Sequence, residues 1–146
     1  MPDNNVFEQS FPVKGGDFAN AGEASCQVKE ILKEIGVGAD IIRRVAIAAY
    51  EAEMNVVMYA REGEVRVSIS PEMVNLIIED EGQGIENIDL AMQEGYSTAT
   101  EEMREMGFGA GMGLPNMKKN SDEFKVTSEV GKGTKIDIRI RMEKET

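Results

Sequence analysis

The chain has no histidine among its 146 residues, and that zero excludes more than any residue present. Ser-His-Asp and Cys-His catalysis, a phosphohistidine intermediate and every histidine-ligated zinc or haem site are ruled out. The single cysteine, Cys26, closes no intrachain disulfide and builds no thiolate metal site, which fits a reducing, cytoplasmic setting. No apolar run approaches the ~20 residues that span a bilayer, and the Met-Pro-Asp-Asn-Asn start lacks the basic opening of a signal peptide, so no membrane role is expected. Basic residues are scarce too. The 16 Lys and Arg against 27 Asp and Glu leave a net charge of −11, which argues against a nucleic-acid partner. The deficit is uneven: residues 1–117 hold 8 basic and 21 acidic residues, whereas residues 118–146 hold 8 and 6 and form a locally positive stretch. Chemistry in this chain therefore runs on carboxylates, amides, hydroxyls, lysines, arginines and backbone groups.

What is present supports one packed domain spanning 1–146: the length is typical of one domain, and 41% hydrophobic residues suffice for a core. Residues 5–13 alternate loosely and predict a first strand, with Pro12 favouring an edge. After Gly15-Gly16, a helical pattern starts at Asp17, with Val28, Ile31, Leu32 and Ile35 forming one apolar stripe that ends at Gly36 and Gly38. A second, more buried helix is predicted from about Asp40 to Ala60. Val65, Val67 and Ile69, then Val74, Leu76 and Ile78, alternate with polar residues as two strands. Phe124 and Val126, the Gly131-Lys132-Gly133 turn, and Ile136, Ile138 and Ile140 read as a terminal hairpin. Alternating strands need one covered face, and the two helices supply it. The predicted fold is α+β, a two-layer sandwich with a mixed, mostly antiparallel sheet covered on one face by helices.

The residues suited to chemistry fall in four places. Glu51 and Asn55 lie four apart on the second helix, so they share a face in a stretch that is otherwise largely apolar. A carboxylate there can take a proton from a hydroxyl, and the amide oxygen suits a Mg²⁺ that keeps most of its waters; a solvated helix face is the alternative. Asp80-Glu-Gly82-Gln-Gly84 follows an apolar strand. Its Asp can accept a hydrogen bond from an exocyclic amine, and its glycines allow a flat ring to approach the backbone, although a plain turn also explains them. Seven of the 15 glycines lie between Asp80 and Gly113, and Gly109, Gly111 and Gly113 precede a predicted short helix at 112–120. Backbone N–H groups there form an anion site or a flexible linker. Gly133-Thr134 sits in the hairpin turn, where the hydroxyl is placed to serve a nearby Asp or a bridging water. Neither a P-loop nor a dinucleotide fingerprint is present.

In this order, Glu51-x-x-x-Asn55, Asp80-x-Gly82-x-Gly84, Gly109-x-Gly111-x-Gly113 and Gly133-Thr134 resemble the boxes of the GHKL (Bergerat-fold) ATPases, over roughly residues 40–141. The length resembles the small bacterial serine/threonine kinases of sigma-factor partner switching. Gly95-Tyr-Ser-Thr98, Gly109 to Pro115 and Asp122-Glu-Phe124 are closer to the stress-response switch kinases among them. The resemblance implies an ATP- and Mg²⁺-dependent kinase with Glu51 as general base and Asn55 on the metal. It also implies Asp80 on adenine with Thr134 supporting it, Gly82 and Gly84 beside the base, and an ATP lid at about 93–113 carrying the phosphate-binding glycines. Arg104, Lys118 and Lys119 are the candidate phosphate cations. The implied substrate is a STAS-domain protein, with a sigma factor or other regulatory protein as a further partner and a homodimer as the implied assembly. An anti-sigma factor that sequesters its sigma factor, and an ATP-binding regulator or ATPase without protein substrate, are the alternatives. Three departures stand out. Tyr59 occupies a position where many relatives carry His, Glu101–Met106 lengthens the lid, and Asn120-Ser121 replaces apolar residues, which predicts a loosened helix.

Overall fold

Period-two alternation sets the sheet. The computed structural model describes residues 7–95, 101 and 112–142. Its strands are β1 (Phe7–Lys14), β2 (Ala60–Ile69), β3 (Met73–Gly82), β4 (Glu123–Glu129) and β5 (Gly133–Arg141). They lie in the order β1-β2-β3-β5-β4, and all four pairings are antiparallel, so the described sheet has no parallel component. Phe11 and Val13, Val65, Val67 and Ile69, Val74, Leu76 and Ile78, and Ile136, Ile138 and Ile140 are all buried on one face.

The helices α1 (Glu23–Ile35), α2 (Ala39–Tyr59), the short α3 (Ile88–Ala91) and α4 (Gly113–Lys119) complete the described elements. Val28 and Leu32 of α1 and Val45, Ala48, Ala49, Ala52 and Val56 of α2 are fully buried, and Leu114 and Met117 of α4 join the same cluster. The α1 stripe runs out at its end, where Ile35 is 51% exposed. The helix also starts later than the pattern from Asp17 predicts. A 3₁₀ turn at Phe18–Asn20 and a left-handed Gly22 (φ 100°) intervene, and α1 opens at Glu23. At the other end Gly36 adopts φ 91° and closes the helix with N–H bonds to Leu32 and Lys33 carbonyls.

The start of α1 has no side-chain cap of its own. Its N–H groups are received by Glu53 of α2, which is 2% exposed: Oε2 accepts from Gly22 N (3.0 Å) and Ala24 N (3.2 Å), and Oε1 from Ser25 N (2.9 Å). A buried carboxylate is tolerated because several donors and the positive end of the helix dipole surround it. A second clamp lies at the other side of α2, where Arg44 sits 3.4 Å from Asp122, whose Oδ2 accepts from Arg141 N at 2.7 Å. Burial raises the Asp122 carboxyl, but the Arg141 N–H and the Arg44 guanidinium more than offset this and leave it below its ordinary 3.8.

Glu53→Ala leaves three N–H groups without their acceptor and should cost about 2–4 kcal/mol in urea unfolding, below three times the roughly 1.5–3 of one hydrogen bond to a charged group because the cost of burying the carboxylate is removed with it. Glu53→Gln, which keeps one acceptor oxygen, should lose clearly less. Equal losses in the two variants would show that packing, not the carboxylate, holds α1.

Candidate active site

The apolar rows of the sheet continue into a polar one. On β3, Asp80 is the next residue on the core face after Val74, Leu76 and Ile78; on β5, Thr134 precedes Ile136 in the same way. Gly63 of β2 is opposite Asp80, and Ser128 of β4 is opposite Thr134. This row explains both the position and the partial burial of Asp80. Its Oδ1 accepts from Thr134 N at 3.1 Å. Desolvation by burial raises the Asp80 carboxyl above its ordinary 3.8, and the Thr134 N–H offsets part of that rise.

Thr134 therefore supports Asp80, but through its backbone N–H. Its hydroxyl lies 2.8 Å from Ser128 Oγ, which also bonds the Gly133 carbonyl (3.0 Å) and accepts from Ile85 N (2.8 Å). Ser128 thus ties the hairpin to the segment leaving β3. Two glycines make room for the row. A Cβ on Gly133 would collide with the Asp80 carbonyl, and one on Gly63 would stand 2.7 Å from Glu79 O and 3.0 Å from Asp80 Cβ. Gly82 and Gly84 have a similar origin. Added Cβ atoms would meet Ala60 Cα at 2.8 Å and Glu129 O at 2.5 Å, so the space these glycines open is filled by the chain's own backbone.

Glu51 and Asn55 share a face of α2, and α4 lies against them. Asn116 Nδ2 donates to Glu51 Oε2 at 2.8 Å, and a Cβ on Gly113 would stand 3.2 Å from Asn55 Oδ1. The predicted short helix exists and is not loosened by Asn120-Ser121. Asn120 Nδ2 bonds the Asn116 carbonyl (2.9 Å) and Ser121 Oγ bonds the Lys118 carbonyl (3.0 Å), so these polar residues finish the helix. Lys118 and Lys119 are exposed at the opposite end of α4 from Gly113, and Lys119 Nζ pairs with Glu94 at 2.8 Å. Arg104, Gly109 and Gly111, with most of the 93–113 segment and all of the Glu101–Met106 insertion but its first residue, lie outside the described residues.

The candidates thus form two groups, Asp80 with Thr134 and Glu51 with Asn55 and the start of α4. Among the described residues no hydrogen bond or ion pair joins one group to the other. Sequence reasoning missed Asn116, Ser128 and Gly63. The signals for the last two were present: Ser128 continues the Phe124–Val126 alternation, and an isolated glycine in a strand marks close backbone approach. For Asn116 no local signal exists, because its partner is 65 residues away.

This donor set fits a nucleotide with a hard cation. Asp80 is half-buried and, among the described residues, its Oδ2 takes no hydrogen bond, leaving an acceptor for an exocyclic amine. Asn55 offers a neutral amide oxygen of the kind Mg²⁺ takes while keeping waters and ligand oxygens. The fold is an antiparallel sheet roofed by helices, with a carboxylate–amide pair on α2 and an Asp near the end of β3. Residues 40–144 match the model of the histidine kinase-, DNA gyrase B-, and HSP90-like ATPases, and the chain belongs to that family. It is 32% identical over 112 residues to the serine/threonine-protein kinase RsbT of Bacillus subtilis (strain 168), covering 74% of this chain and 78% of that one. It is 31% identical over 141 residues to the anti-sigma F factor of Caldanaerobacter subterraneus subsp. tengcongensis, covering 93% of each. With the anti-sigma F factor of Clostridium acetobutylicum the identity is 36% over 140 residues, 92% of each chain. The crystal structure of the RsbU and RsbW domains of a Mycobacterium tuberculosis protein shares the fold, with a TM-score of 0.61 at 17% identity. It covers 91% of this chain, which spans 32% of that longer one. Among the described residues no helix is long and apolar enough to cross a membrane.

Because burial raises Asp80 in the folded chain, its charge costs stability at neutral pH, and that cost fades as pH falls through the raised value. Asp80→Asn keeps the oxygen that Thr134 N–H needs. Urea titrations should therefore find it at least as stable as the parent at pH 7, with the gap closing toward pH 4. A large loss of stability at pH 7 would mean that the carboxylate charge holds the hairpin.

Proposed function

We propose that the chain is an ATP-dependent serine/threonine protein kinase of the anti-sigma or switch-kinase type that phosphorylates a STAS-domain partner in sigma-factor partner switching. The observation that carries this reading is the pairing of Glu51 and Asn55 on one face of α2, with Gly113, the last glycine of the Gly109–Gly113 string, so near that a Cβ on it would stand 3.2 Å from Asn55 Oδ1. Bound ATP with Mg²⁺ supplies the transferable phosphoryl group. Asp80 accepts from the adenine amine, and Asn55 holds the cation. The backbone of Gly109, Gly111 and Gly113 lies along the phosphates, in a lid at about 93–113 of a single domain spanning 1–146. Glu51 takes the proton of the partner's hydroxyl. Phosphoryl transfer asks the protein mainly for placement and charge neutralisation, which amides, a cation and one base provide without histidine. Arg104, Lys118 and Lys119 are the candidates for the cation at the phosphates; of these, Lys119 must first leave Glu94. The chain works in the cytoplasm.

A second reading has a specific observation in its favour. The relatives named anti-sigma F factor align over 82% to 93% of this chain and the kinase RsbT over 74%, which supports sequestration of a sigma factor with ATP as the switch.

Incubation with labelled ATP, Mg²⁺ and STAS-domain proteins should place label on a Ser or Thr of the partner. Glu51→Ala should slow transfer about 10²–10⁴-fold, the usual contribution of a general base, while ATP still binds. Asp80→Asn should abolish ATP binding in calorimetry. A tight sigma-factor complex without transfer selects the sequestration reading, and ATP affinity indifferent to Asp80→Asn sinks both.

A further inference from the structure

We propose that Asn116 is a positioning residue for Glu51: its amide holds Oε2 of the carboxylate and so presents Oε1 as the oxygen that receives the proton. This rests on the kinase reading of Glu51. The contact is a 2.8 Å hydrogen bond, and its direction is fixed by chemistry, because only the NH₂ side of an amide can face a carboxylate oxygen. Among the described residues Oε1 takes no hydrogen bond, so the two oxygens are inequivalent. A carboxylate free to turn about its last torsion presents either oxygen in any direction, whereas one held at a single oxygen is set for transfer before the hydroxyl arrives.

The bond is not needed to dock α4. Leu114, Pro115 and Met117 are all buried and attach this seven-residue helix to the core by themselves. Nor is it a local helix contact, since its partners lie 65 residues apart. What it adds is register. Gly113 meets Asn55 and, three residues on, Asn116 meets Glu51, four residues back along α2. One turn of α4 thus runs antiparallel to one turn of α2 and touches both residues assigned to the chemistry. A chain without histidine has here an uncharged donor that orients the base and offers no competing proton acceptor to the hydroxyl.

Three chains test this: the parent, Asn116→Ala and Asn116→Asp. Aspartate keeps the shape of asparagine but at neutral pH has no donor, so a packing role predicts parental behaviour and a donor role predicts the larger defect. With labelled ATP and a STAS-domain substrate, kcat should fall about ten- to hundredfold in Asn116→Ala and further in Asn116→Asp, with KM for ATP and calorimetric ATP affinity within about twofold of the parent. In the nucleotide-free protein, the Asn116 side-chain ¹⁵N–¹H₂ signals should move in Glu51→Gln. Parental kcat in Asn116→Asp overturns the proposal, as does a loss shared equally by kcat and ATP affinity, or amide signals indifferent to Glu51→Gln. If Asn116→Ala fails to fold, the isosteric aspartate still decides. A parent that binds ATP but labels no hydroxyl removes the kinase reading and this role with it, an outcome distinct from an active parent whose Asn116 variants are equally active.

Discussion

The buried Glu53 carboxylate is the interaction on which the helical layer depends. It satisfies three N–H groups at the start of α1 from within α2, so the two helices cannot turn relative to each other without stranding donors away from water. At about 100° per residue, positions two apart on a helix point about 200° from each other. Glu53 facing α1 therefore requires Glu51 and Asn55 to face the other way, where α4 lies. A structural carboxylate and the residues assigned to the chemistry are consequences of one rotation of one helix. Charge burial is usually costly, and here it is tolerated because donors surround it; what it supplies is a fixed azimuth.

The sheet places its half of the site by a different rule. Nothing special directs Asp80 toward the helices. It is simply the next residue on the row that buries Val74, Leu76 and Ile78, and Thr134 continues the Ile136 row beside it. The core face becomes polar one step before the strands end, and Gly63 and Gly133 let the backbones come close enough for the row to close. The raised Asp80 carboxyl follows directly, since a charge on a core row loses water. The same desolvation that costs stability makes the carboxylate a stronger acceptor for a ligand that replaces the lost water.

Most of this architecture was legible in the sequence because it rests on local periodicity. The alternation of Val65–Ile69, Val74–Ile78 and Ile136–Ile140, and the α1 stripe through Leu32, assign strands, faces and cover without knowledge of any partner. The ordered boxes marked Glu51, Asn55 and Asp80 as candidates, and the structure sets the first two on one face of α2 and the third beside Thr134. What sequence could not give was the identity of hydrogen-bond partners. The hydroxyl of Thr134 turned to Ser128 while its N–H took Asp80, and no spacing rule separates these choices. The close approaches that Gly82 and Gly84 allow, to Tyr59–Ala60 and Glu129–Val130, likewise join segments far apart in the chain. Asn120-Ser121 was expected to weaken α4 and instead finishes it, since helix-breaking and helix-capping residues are the same residues one position apart.

The absence of histidine takes on a physical meaning in this setting. An imidazole orienting a carboxylate also titrates near neutrality and can take the proton itself. An asparagine amide donates a hydrogen bond of similar length and does neither. With Asn116 in that place, the proposed base is held by a neutral donor on a helix whose first residue is Gly113. On the proposed reading, a base held by the residue three positions after Gly113 is tied to the place proposed for the phosphates.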